Sequence, residues 1–148
     1  MTPCTFLFDT NFKFHDGERG QKIFVVLNNG GSGQYVAAKS TSRGDRYGIR
    51  YGCQILDRFP NFNFVKGSCF LNKNTWIQLD AFYEFNVADL RQKVMSGQIN
   101  RIGVLDTAQA LELLICTSHS EDLSQLQESL VLQTIKDIKK ANANGTAS

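Results

Sequence analysis

The stretch KIFVVLNNGGSGQYVAAK, residues 22–39, indicates a β-hairpin and decides the fold. Residues 22–27 are apolar and rich in β-branched side chains, and the run is too short for an independent helix, so it predicts a strand. Residues 28–33 are rich in Gly and Asn, which tolerate positive φ angles, and they predict the turn. Residues 34–39 return as the partner strand, so an antiparallel sheet is expected.

Short strands are also predicted on both sides of this hairpin. They are aromatic or apolar runs bounded by turn formers: residues 5–8, 12–14, 75–79 and 82–85. Residues 40–50 are polar and basic and predict an exposed loop. Residues 51–70 alternate aromatic side chains with turn formers and predict irregular or edge structure, since Pro60 lacks the amide hydrogen that a central strand needs.

The hydrophobic period changes after residue 86, which indicates helices. Asn86 predicts the N-cap of a helix that stops at Gly97, and residues 106–109 resemble a capping box that opens a second helix. A third helix is predicted from Ser118, and residues 141–148 predict a disordered tail. On the second helix, the side chains expected to face the core are Ala108, Leu111, Leu114 and Ile115. The third is expected to carry an apolar strip, packed on the sheet or on a second copy, of Leu123, Leu126, Leu130 and Ile138.

Strands followed by helices predict one α+β domain over residues 1–140. The expected architecture is a small curled antiparallel sheet, or SH3-like barrel, over about residues 1–86, with helices over about 87–140. A length of 148 residues with 42% hydrophobic side chains is typical of one packed core.

Composition argues against several classes of protein. No apolar run reaches the roughly 18 residues that cross a bilayer, and residues 1–4 lack a signal-peptide pattern, so a cytoplasmic protein is expected. The four cysteines are far apart and form no C-x-x-C pair, so no metal or cofactor is expected. A disulfide is possible on parity, but buried thiols are the expectation for a cytoplasmic chain.

The residues that carry chemistry are basic rather than acidic or histidine-based. The chain has no P-loop and no nucleophile elbow, and its two histidines, His15 and His119, stand in a polar loop and a capping segment. Residues 1–70 hold nine Lys or Arg against five Asp or Glu, which indicates either a phosphate-binding face or a solvated rim. In the predicted hairpin, Lys22 and residues 40–43 meet at one end of the sheet, where hydroxyls and cations could hold a phosphodiester or only satisfy a local turn.

At this point the sequence resembles the PemK/MazF-like toxins, small SH3-like barrels that cleave RNA. The family's third strand opens with a Gly-x-Arg-Pro-x-x-Val-Leu segment, and residues 20–27 stand in that place, with Lys22 where the family has arginine. Residues 36–42 match a strand that runs into a Thr-Ser pair. Residues 76–80, followed by a leucine-rich helix, continue the order of motifs.

The resemblance implies a metal-independent endoribonuclease that leaves 2′,3′-cyclic phosphate and 5′-hydroxyl ends on single-stranded RNA. Lys22, with Arg19, is then expected to stabilise charge on the phosphate, and Thr41 to orient it or assist proton transfer. RNA would also contact Ser42, Arg43, Arg46, Lys39, Tyr35 and Tyr47, a tyrosine stacking on a base. The implied partners are single-stranded RNA, a cognate antitoxin and a second copy of the chain, with no cofactor and no membrane.

Two further functions stay open on the sequence. One is a non-catalytic SH3-like module that binds nucleic acid or protein, since this fold serves many functions. The other is a toxin of the same fold that inhibits a protein target such as a topoisomerase.

Overall fold

The predicted hairpin forms the centre of the structure, a computed structural model that describes residues 1–146, with side chains described through residue 144. The elements follow one another in the order β1 (Thr5–Lys13), β2 (Arg19–Val26), β3 (Gln34–Thr41), β4 (Gly52–Gln54), β5 (Asn61–Phe64), β6 (Thr75–Gln78), β7 (Tyr83–Asn86), α1 (Val87–Met95), β8 (Ile99–Val104), α2 (Thr107–Ser118) and α3 (Gln125–Thr146).

All strand pairs of the described residues are antiparallel, in the order β4-β5-β6-β3-β2-β1-β8, with β7 also paired to β3. One edge of β3 pairs with β2, while the other pairs with β7 over residues 34–37 and with β6 over residues 40–41. The sheet is therefore curled around β3, and it is not closed. The α+β class with a curled sheet and C-terminal helices is confirmed, without barrel closure.

Both faces of the central strands are buried, which explains the uninterrupted apolar run of residues 23–27. On one face Val25, Val36 and Ala38 join a core with β5, β6, α2 and α3. On the other face Phe24, Val26, Tyr35 and Ala37 join a second core with α1. Alternate residues of one strand thus supply two separate cores, as the period of two requires.

The predicted caps of the first two helices are confirmed. The Asn86 side chain accepts hydrogen bonds from the amides of Ala88 and Asp89, and Gly97 follows α1 with a φ of +83°. Asp106 accepts from the Gln109 amide, 2.7 Å away, at the start of α2.

The inward face of α2 differs from the predicted one. Leu114 is buried and Leu111 half-buried, but Ala108 and Ile115 are exposed. The buried stripe is Ala110, Leu113, Leu114 and Thr117. Those positions have the i, i+3, i+4, i+7 spacing of one helix face, and residues 108 and 115 flank it.

Helix α3 begins later and ends later than expected. Ser124 and Gln127 cap it reciprocally through side chain and amide, whereas His119 is the C-cap of α2. Leu123, Leu130 and Ile138 pack on the first core. Leu126 is 61% exposed, so at that position the strip does not pack on the sheet, and packing on a second copy stays a prediction. The helix continues to Thr146, within the predicted tail, and residues 147 and 148 lie outside the described part.

Three strands depart from the sequence prediction. The expected strands 5–8 and 12–14 are one strand, β1, with a bulge between Asp9 and Phe12. Strand β5 is a fully buried strand and not irregular. Its Asn63 can be buried because the side chain donates to the Thr75 carbonyl and accepts from the Arg50 amide, which satisfies both polar groups. Strand β8 was not predicted; it pairs with β1 after α1 and is mostly exposed, so its apolar pattern is weak.

A disulfide joins Cys53 of β4 to Cys116 of α2, with the two Cα atoms 5.6 Å apart. Buried thiols were expected, and for this pair the expectation is wrong. The 63-residue separation gives no signal in sequence, and only the packing of α2 on β4 brings the two together. Cys4 and Cys69 are free.

Disulfides persist mainly in oxidising compartments, so the Cys53–Cys116 pair does not support the cytoplasmic expectation. None of the described helices has the length and apolar character needed to cross a membrane.

Replacing both Cys53 and Cys116 by Ala should lower the free energy of unfolding by about 2–4 kcal/mol, because the bond closes a long loop in the unfolded chain. Urea denaturation, followed by circular dichroism, measures the loss. Reductant should shift the midpoint of the wild-type protein to that of the double variant and leave the variant unchanged. A wild-type midpoint insensitive to reductant would mean that the bond is absent or energetically neutral.

Candidate functional site

A cavity of about 610 Å³ lies where β2 and β3 meet the loop that follows β3. Four of the sequence-predicted residues line it: Lys22, Thr41, Ser42 and Arg43. Lys22 is brought there by β2, and the other three by the end of β3, as the hairpin geometry predicted. Ser40 and Lys73 also belong to its wall.

The hydroxyl groups at this end of β3 have different tasks. Ser40 is buried and donates to the Ile23 carbonyl at 3.0 Å, so it ties β3 to β2. Thr41 Oγ1 accepts from the Arg43 amide at 3.1 Å, which forms the local turn. The Thr41 hydroxyl proton has no acceptor among the described residues, so this group can still donate to a ligand.

Positive charge gathers around the half-buried Lys22. Burial lowers the pKa of Lys22, and the neighbouring charges of Lys39 and Arg43 lower it further. Lys73 adds a fourth cation, and the described lining of the cavity contains no carboxylate. An anion is therefore the ligand that this cavity favours.

A second cavity, of about 350 Å³, adjoins the first and shares Thr41 and Arg43 with it. Tyr47 forms one wall, and its ring stacks on Trp76 with centroids 5.8 Å apart. Gln78 donates to the Tyr47 hydroxyl at 3.1 Å. We call the two cavities together the basic groove. Its polar and aromatic lining is Lys22, Lys39, Thr41, Ser42, Arg43, Arg46, Tyr47, Lys73 and Gln78, with one carboxylate, Asp45, in the second cavity.

The loop that carries Arg43, Arg46 and Tyr47 is held by close aromatic contacts. Gly44 lies so near the Trp76 ring that a Cβ atom there would overlap it, so this position requires glycine. The guanidinium of Arg46 lies 4.9 Å from the centroid of the Phe59 ring, in a cation–π contact.

Two predicted site residues are not in the groove. The Arg19 guanidinium donates to the Asn11 carbonyl at 3.3 Å and lines neither cavity. Tyr35 is buried in the second core, at the other end of β3, and positions 35 and 41 of one strand are about 20 Å apart. The tyrosine available in the groove is Tyr47.

Sequence reasoning missed Lys73, Trp76 and Gln78 as parts of the site. Trp76 and Gln78 belong to β6, which reaches the groove by pairing with residues 40–41, and Lys73 precedes that strand. The available signal was a basic residue before a short aromatic strand. The sequence did not indicate which strand would pair with it.

The groove suits acid–base and electrostatic chemistry on a phosphodiester. Convergent cations stabilise charge on phosphate oxygens, and a lysine with a lowered pKa can release a proton more readily than a free one. Within the described chain, no group of three or more His, Cys, Asp or Glu side chains could hold a metal ion.

No protein-family model matches the chain, and neither a curated protein nor a solved structure matches it. The resemblance to the PemK/MazF-like toxins thus stays a prediction from sequence motifs. Any functional assignment rests on the groove and its side chains.

Replacing Lys22 by Gln should raise the melting temperature near neutral pH, because the variant lacks a half-buried charge that Lys39 and Arg43 repel. Below its lowered folded-state pKa, Lys22 is charged in both states and the penalty acts in full. Above 10.5, the ordinary value, it is neutral in both states and the penalty disappears.

The difference between the variant and wild type should therefore shrink as the pH rises toward 10.5, which thermal melts from pH 7 to pH 10.5 would measure. Lys140→Gln, on the exposed side of α3, is the matched control and should change little. A variant less stable than wild type at pH 7 would contradict the assignment of unfavourable charge to Lys22.

Proposed function

We propose that this protein binds single-stranded RNA along the basic groove and cleaves it as a metal-independent endoribonuclease. The observation that carries the proposal is the convergence of Lys22, Arg43 and Lys73 beside the Thr41 hydroxyl, in the first cavity, whose described lining has no carboxylate. Lys39 acts on Lys22 from the adjoining cavity, whose lining includes one carboxylate, Asp45. Such a cluster is costly to the folded chain unless an anion offsets it, and a phosphodiester supplies both the charge and the reacting centre.

In the proposed reaction the ribose 2′-oxygen attacks the adjacent phosphorus and the bond from phosphorus to the 5′-oxygen breaks. The 2′-hydroxyl proton passes to water, and the leaving 5′-oxygen takes a proton from the Lys22 ammonium. The products are a 2′,3′-cyclic phosphate and a 5′-hydroxyl. Lys39 and Arg43 stabilise the charge that develops on the non-bridging oxygens, and the Thr41 hydroxyl donates to one of them.

Lysine at position 22 suits the proton-donor role. A guanidinium stays protonated in proteins, whereas an ammonium group shifts its pKa when it is buried among other cations. The pKa of Lys22 is lowered by burial and by those charges, which brings it closer to working pH.

The second cavity fits the nucleotide next to the scissile phosphate. Arg43 borders both cavities and can hold the phosphate that links two nucleotides. Tyr47 offers an aromatic wall for a base, and Gln78 brings an amide that can bond to a base edge.

With EDTA present, the purified protein should cut a mixed-sequence single-stranded RNA into fragments with 5′-hydroxyl ends. Lys22→Ala should slow the cut about 100-fold or more, the usual effect of removing one donor to developing charge. Fragment mapping and single-turnover rates measure both outcomes.

Lys22→Arg keeps the positive charge but removes a releasable proton, so RNA binding should persist while cleavage falls. Lys140→Ala is the control: Lys140 is an exposed residue of α3 that does not line the groove, so this variant should cut like wild type. Intact RNA with wild-type protein, or full cleavage by Lys22→Ala, would sink the catalytic proposal. Binding without cleavage would identify the non-catalytic module that the sequence leaves open.

Binding to the groove should weaken steeply with salt. Five cations line it: Lys22, Lys39, Arg43, Arg46 and Lys73. Each neutralised phosphate of a single strand contributes about −0.7 to the slope of log K against log salt, so five contacts should give a slope of about −3.5. Fluorescence anisotropy with a 2′-O-methyl RNA, which cannot be cut, measures it. Arg43→Gln should reduce the slope by about 0.7. An affinity independent of salt would contradict phosphate binding.

A further inference from the structure

A separate cavity of about 180 Å³ lies at the opposite end of β3 from the basic groove, between β3, α1 and β8. Its polar wall is formed by Tyr35, Arg91 and Arg101, and its apolar wall includes Val87, Val94 and Met95; Met1 also lines it. The RNA proposal uses none of these residues.

The two arginines share this cavity with the Tyr35 hydroxyl group. Burial raises the pKa of Tyr35, and the positive charges of Arg91 and Arg101 act on the same hydroxyl in the opposite direction. That hydroxyl accepts a hydrogen bond from the Met1 nitrogen at 2.9 Å, so its own proton is free to be donated.

Nothing in the described part of the chain neutralises the two guanidinium groups. Neither makes a side-chain hydrogen bond or an ion pair with a described residue, and the cavity lining contains no carboxylate. Two like charges beside one partly enclosed space repel each other, and an anion between them would attract both and offset that repulsion. The planar guanidinium fork matches the two oxygens of a carboxylate.

Cavity size and lining narrow the class of ligand. A volume of about 180 Å³ is below the roughly 300–1,000 Å³ of sites for drug-sized molecules. A fully hydrated inorganic ion makes no favourable contact with the apolar wall. A short hydrocarbon chain can be buried against it, which stabilises binding by about 0.8 kcal/mol for each CH₂ group.

We propose that this cavity is a binding site for a small monocarboxylate with a short alkyl chain. The carboxylate lies between Arg91 and Arg101 and accepts the Tyr35 hydroxyl proton, and the alkyl chain packs against Val87 and Val94.

Sodium pentanoate is the probe, titrated into the full chain labelled with ¹⁵N at constant ionic strength. Saturable shifts are expected for amides of α1 and β8, with a dissociation constant in the millimolar range or tighter. Pentanamide, which has the same shape without the charge, should cause no saturable shift. Inorganic phosphate should bind more weakly than pentanoate because it leaves the apolar wall uncovered.

Arg91→Gln and Arg101→Gln should each weaken pentanoate binding about tenfold or more, as expected for the loss of a hydrogen bond between charged groups. Arg58→Gln is the matched control; Arg58 lies over the Phe59 ring and lines neither this cavity nor the groove, so its affinity should match wild type. Both cavity arginines are exposed, so their variants should fold.

Absence of a saturable shift with pentanoate, or equal binding by both arginine variants, would overturn the site. Phosphate binding as tight as pentanoate binding would overturn the carboxylate assignment. RNA cleavage reports on the groove alone, so Arg91→Gln should leave it unchanged and the two proposals can fail independently.

Discussion

The two-sided burial of β3 is the constraint on which the rest of the structure depends. This strand pairs along both edges and packs on both faces, so its buried residues 35–38 must each satisfy a partner strand and a core at once. Ala37 and Ala38, both fully buried, leave room for the two layers that cover it. Since β3 changes partner from β7 to β6 along one edge, the sheet curls there, and the strand end with Thr41 opens into the groove.

The two ends of β3 also separate two collections of positive charge. One end carries Thr41 beside Lys22 and Arg43, and the other carries Tyr35 beside Arg91 and Arg101. The whole chain has a net charge of only +2, so these clusters reflect placement rather than a general excess of lysine and arginine. Like charges brought together cost free energy, and such local violations of favourable electrostatics are typical of binding sites.

How far the sequence predicts this fold depends on how local each signal is. The hairpin, the Asn86 and Asp106 caps and the glycine stop at Gly97 are determined by neighbouring residues, and all were predictable. Strand β5 was not, because its two asparagines are typical of loops in the sequence, and only the fold brings Thr75 and Arg50 to Asn63 as hydrogen-bond partners. The Cys53–Cys116 bond likewise depends on a contact between β4 and α2 that no local pattern encodes.

The same distinction applies to the candidate site. Lys22 and Thr41 could be placed together because hairpin pairing fixes which strand ends meet, and the structure brings them to one cavity. Tyr35 was assigned to that cavity from its residue type, but the length of β3 carries it to the other end and the period of two turns it into the second core. Lys73 and Gln78 reach the groove only through the pairing of β6 with the last residues of β3. For a site at the rim of a curled sheet, the sequence therefore predicts the residues of a single hairpin. The remaining residues come from a strand that pairs with that hairpin only in the folded sheet, and no local pattern predicts this pairing.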